Sequence, residues 1–90
     1  MQRKAQKNKQ LFEITGSILK SLREQQGKSL NLFSYENDLQ KSMVSRLENG
    51  KNEPKLLSLW RISEALDIKM SEIFKYIEDE LPKDWKLEEK

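Results

Sequence analysis

The sequence predicts an all-α protein, a compact bundle of about five short helices. Three observations carry that expectation. Its 90 residues contain only three glycines and two prolines, so long uninterrupted segments are available to helices. Within those segments apolar residues recur at three- and four-residue spacing, which gathers them on one helical face. Residues suited to helix ends stand between the segments.

The first stripe, Leu11, Ile14, Ile18, Leu19 and Leu22, predicts a helix over residues 11–26 with Gly27 as its stop. Ser29 is suited to cap a second short helix carrying Leu32 and Phe33, and Asn37-Asp38 read as a turn. A third helix, from about residue 40 to residue 48, sets Met43, Val44 and Leu47 on one side and ends at Asn49-Gly50, a pair suited to a left-handed cap. Pro54 cannot be interior to a helix. Beyond it, Leu56, Leu59, Trp60, Ile62, Ala65 and Leu66 predict a fourth amphipathic helix, with Trp60 expected in the core and residues 67–69 as the exit. Ser71 is expected to cap a fifth helix through Ile73, Phe74, Tyr76 and Ile77, closed by Pro82. Residues 83–90 receive no secondary-structure assignment. Within them, Trp85 is expected either to fold back on its own domain or to anchor a partner.

Composition excludes several kinds of chemistry. Without histidine or cysteine, the chain lacks the commonest general base, thiolate metal sites and disulfides. No glycine-rich phosphate cradle, metal-ligand cluster or nucleophile elbow is present, so neither catalysis nor a cofactor or metal is expected. Hydrophobic residues never run more than two in succession, so neither a membrane span nor a signal peptide can be placed, and a cytoplasmic location is expected. The net charge of +2 conceals a segregation: residues 1–10 carry +4 through Arg3, Lys4, Lys7 and Lys9, residues 78–90 carry −3, and the middle carries +1. The ends therefore read as a basic N-terminal arm (1–10), open to DNA contact, to a solvated terminus or to extension of the first helix, and an acidic C-terminal tail (79–90) around a domain at 11–78, with the tail a possible dimer or partner contact.

The polar side of the third helix differs from the others. Gln40, Lys41, Ser42, Ser45 and Arg46 are long or hydroxylic hydrogen-bonding residues, and no acid occurs there before Glu48. Such side chains read base edges: Gln pairs with adenine, Arg and Lys with guanine, and Ser with either.

From Gly16 to Phe74 the sequence resembles the lambda-repressor-like, Cro/XRE-type helix-turn-helix family. The resemblance rests on Leu19, Leu22-Arg23, Gly27, Ser29, Phe33, Val44-Ser45, Leu47, Glu48-Asn49-Gly50-Lys51, Pro54, Leu59, Ile62, Ala65-Leu66 and Ile73-Phe74. It implies that the second and third helices form a DNA-binding pair, the third lying in the major groove. It also implies base readout by Gln40, Lys41, Ser42 and Arg46 with Ser45 at the groove edge, phosphate contact by Asn49 and Lys51, and an Arg23–Glu48 pair joining helix one to the end of helix three. The helix-two N-terminus at Ser29 is a further expected phosphate contact. Two positions depart from the family pattern: Leu30 stands where Gln is frequent, and Asp38 where the turn usually has Gly.

The function expected on these grounds is a sequence-specific double-stranded DNA-binding transcriptional regulator, acting as a repressor and as a homodimer on two half-sites, with residues 73–87 as the candidate dimer contact. The alternative is an antitoxin-like or accessory protein-interaction module with autoregulatory DNA binding, its partner held by the tail.

Overall fold

The computed structural model describes the backbone of residues 2–88 and the side chains of residues 6–88. Among the described residues there are five helices: α1 (Gln2–Gln25), α2 (Leu30–Glu36), α3 (Lys41–Glu48), α4 (Leu56–Leu66) and α5 (Met70–Glu80). Helix α1 packs across α3 and α5, α2 against α3, and α4 against α5. Leu19, Phe33, Val44, Ile62 and Ile73 are each 1 % exposed or less and form the centre of the core. The α3 stripe behaves as its spacing predicts, with Val44 and Leu47 buried and Met43 half-buried against them.

Several local signals produce the expected backbone. Ser29 takes an extended conformation and its hydroxyl accepts a hydrogen bond from the Leu32 N–H at 3.1 Å, which satisfies an otherwise orphaned donor of α2. Three helices then end in the same way, on a left-handed residue followed by a backbone bond five residues back. Asp38 (φ 54°) ends α2 with Leu39 N–H donating to Ser34 C=O, Gly50 (φ 63°) ends α3 with Lys51 N–H donating to Arg46 C=O, and Asp67 (φ 57°) ends α4 with Ile68 N–H donating to Ser63 C=O. Leu39 and Ile68, the residues after two of these stops, pack on the core and fix the direction in which the chain leaves. Aspartate tolerates this conformation better than most residues, so Asp38 replaces the usual turn glycine without changing the fold. In the Asn49-Gly50 pair only Gly50 is left-handed, since Asn49 has φ −94°.

Three expectations need correction, and an alternative left open at Trp85 is decided. The basic N-terminal segment is helical from Gln2 and continuous with α1, which therefore has 24 residues rather than starting at Leu11. Ser71 does not cap α5: Lys69 occupies that position and the helix begins at Met70, whose side chain is buried. Trp60 is 50 % exposed and Leu56 is 63 % exposed. The buried face of α4 is instead Leu59, Ile62, Ser63 and Leu66, and Trp60 lies about 100° around the helix from Leu59. Finally, Trp85 folds back: its indole Nε1 donates to Gln10 Oε1 at 2.9 Å, and the Lys7 ammonium sits 5.6 Å over its ring while donating to the Lys86 carbonyl.

Candidate nucleic-acid interface

Helix α3 presents two arcs. At 3.6 residues per turn, Met43, Val44, Leu47 and Glu48 fall within roughly 140° and face the protein, while Lys41, Ser42, Ser45 and Arg46 fall within a similar opposite arc. Gln40, Lys41, Ser42 and Arg46 are exposed. Gln40 is the N-cap residue, in extended conformation and with no side-chain cap bond, so its amide is not engaged by the helix end. Ser45 is half-buried at the edge of the arc, where its carbonyl accepts from Asn49 Nδ2 at 2.8 Å and its hydroxyl from the same nitrogen at 3.4 Å. Asn49 and Lys51 are exposed in the loop that follows. No acidic side chain belongs to this exposed arc, because Glu48 is turned inward and buried.

What holds α3 in place is polar. Arg23 Nε and Nη2 donate to the two Glu48 carboxylate oxygens at 2.8 and 2.9 Å, and Nη1 donates to Lys28 C=O at 2.8 Å. The two side chains are only 8 % and 6 % exposed. This bidentate bond raises the Arg23 pKa against the opposing effect of burial, so the guanidinium stays charged throughout the accessible pH range. The pair ties α1, the α1–α2 turn and the last residue of α3 together, the role that the resemblance implies.

A second constraint is steric and was not legible as a function of its position. A Cβ on Gly16 would lie 2.3 Å from Leu47 O and 2.5 Å from Glu48 O. The α1 backbone therefore crosses the end of α3 at a distance that admits no side chain. Gly50 repeats the arrangement from the other side, its Cβ position lying 2.9 Å from Glu13 Cα. The available signal was a glycine in the middle of a helical stripe, which costs about 1 kcal/mol relative to alanine unless packing requires it.

Leu30, at the position where the family often has Gln, packs half-buried against the core. An alkyl side chain cannot hydrogen-bond a phosphate. Ser29 is exposed, and because its oxygen serves α2 as an acceptor, its hydroxyl proton remains available to an outside acceptor. Among the described residues no helix is long and apolar enough to cross a membrane, and no group of His, Cys, Asp or Glu is arranged to hold a metal ion.

Comparison with known proteins agrees with this geometry. The helix-turn-helix family pattern matches residues 19–73, which span α2, α3 and α4 and reach into α1 and α5. Control protein C.MunI from Mycoplasma sp is 41 % identical over 66 residues, covering 72 % of this chain and 89 % of that protein. The HTH-type transcriptional regulator SutR from Escherichia coli (strain K12) is 30 % identical over 61 residues, covering 68 % of this chain but 34 % of that longer protein. With an acid-free exposed arc on α3, a helix-turn-helix held by the Arg23–Glu48 pair, and more than half its length matched by the family pattern, the chain belongs to the Cro/C1-type helix-turn-helix family and is a DNA-binding transcriptional regulator.

Proposed function

We propose that the chain reads a specific double-stranded DNA sequence through Gln40, Lys41, Ser42 and Arg46, with Ser45 at the groove edge, and represses transcription by occluding a promoter. The observation that carries this reading is the exposed, acid-free arc of α3 on a helix whose other side is locked into the core. Ser29, Asn49 and Lys51 hold phosphates on either side of that helix and set its register without reading sequence. The chain acts as a homodimer, because a single module of this size makes too few base contacts for useful specificity. Support for a second copy comes from α4 and α5, which leave Leu56 63 %, Leu57 62 %, Trp60 50 % and Phe74 46 % exposed. Ile73 and Ile77, which the sequence placed in the dimer contact, are buried in the core. A cytoplasmic location accompanies the role.

Selection of bound sequences from a random duplex pool tests the reading. One preferred sequence is expected to be enriched, and no enrichment overturns sequence-specific regulation. On the selected duplex, Arg46→Ala is expected to cost about 1–3 kcal/mol and relax preference at one position, whereas Lys51→Ala weakens all duplexes evenly. Equal effects of both changes on every duplex would contradict the division of roles. Sedimentation of Trp60→Lys against the parent tests the dimer, with dissociation expected.

A further inference from the structure

The first turns of α1 have two unlike sides. One side, carrying Lys7 and Gln10, is occupied by the folded-back tail through Trp85 and Lys86. The other, roughly 120° around the helix, carries Lys9, Glu13 and Gly16 in successive turns. That second side is the one that meets the end of α3: Gly16 abuts Leu47 O and Glu48 O, and Glu13 lies against Gly50. Lys9 is exposed and sits one turn before Glu13, about 6 Å farther along the axis. Because the segment is helix rather than a loose arm, the backbone of Lys9 is held one turn beyond Glu13, the residue that meets Gly50 in the loop after α3.

We infer that this face of α1 is an additional DNA-backbone site in which Lys9 holds a phosphate beyond the one engaged by the loop after α3. The inference rests on the proposed DNA-binding mode of α3 and extends it. It assigns sequence-independent affinity to one lysine of the basic segment and none to Lys7, whose ammonium the tail occupies. Glu13, the acid on the same face, opposes the contact.

The test measures binding of the full chain to its selected duplex from about 50 to 200 mM salt, a range over which each neutralised phosphate contributes a factor of about 3.5 to the affinity lost. Lys9→Gln is expected to lower the slope of log affinity against log salt by about 0.9 without altering base preference. Lys7→Gln is expected to leave the slope unchanged, and Glu13→Gln to tighten binding to all duplexes. A parental slope in Lys9→Gln, or equal losses in the Lys7 and Lys9 variants, overturns the inference, the second result pointing to net charge alone. If Arg46→Ala still relaxes base preference while Lys9→Gln changes nothing, this inference fails and the α3 reading stands. If no duplex is selected at all, both fail.

Discussion

Replacing Arg23 with methionine leaves the side-chain volume roughly in place but removes three donated hydrogen bonds of 2.8–2.9 Å, two to Glu48 and one to Lys28 C=O. The Glu48 carboxylate, 6 % exposed, then becomes a buried charge without a counter-ion. Removing one partner of such a pair costs about 3–5 kcal/mol, whereas replacing both with apolar residues is often neutral or stabilising. A chain of this size has a total stability on the order of 5–13 kcal/mol. The single variant should therefore lose a large share of it, with Tm falling by roughly 4–8 °C for each kcal/mol. Arg23→Met, Glu48→Leu and their combination form a double-mutant cycle, read by urea unfolding followed by far-UV circular dichroism. The double variant is expected within about 1 kcal/mol of the parent, so the coupling should approach the sum of the two single losses. Additive losses in the double variant would refute the reasoning, since they would mean that each side chain contributes independently of the other. A loss below about 1 kcal/mol for Arg23→Met would do the same, because that is the range of an exposed pair.

Other substitutions test the packing around the same site. Gly16→Ala gains about 1 kcal/mol of helix propensity but sets a methyl 2.3 Å from Leu47 O. It should be net destabilising by about 1–3 kcal/mol in thermal melts, and a variant as stable as the parent would show that α1 does not cross α3 so closely. Ser34 is buried and its Oγ has no hydrogen-bond partner. Ser34→Ala should accordingly raise stability by about 1 kcal/mol in denaturant titrations, the reverse of the usual core truncation, and a loss would contradict the orphaned hydroxyl. Ser29→Ala removes the α2 cap at the Leu32 N–H and should cost about 1 kcal/mol in the same assay, with an unchanged midpoint counting against the cap.

How much of the site was legible depended on how local its cause is. Ser29 and Asp38 act within a few residues of themselves, through a cap and a left-handed turn, and both could be read in place. The Arg23–Glu48 pair spans 25 positions and was legible only because it belongs to a family pattern. Trp60 was misplaced because Leu56, Leu59 and Trp60 share a stripe in projection, yet only the Leu59 side of α4 meets the core. Gly16 was visible as an anomaly in a helix, but its reason lies in carbonyls more than thirty residues away.

The sequence by itself determined the helices, their stops and the acid-free polar side of α3, because apolar spacing and end-residue chemistry are properties of short segments. Only the tertiary structure decided that the basic first turns continue α1, that Trp85 covers one side of them, and that Glu13, one turn on from Lys9, meets Gly50 in the loop after α3. Those outcomes depend on which faces meet once the chain is folded. Periodicity identifies a face that can be buried; it does not name the neighbour that buries it.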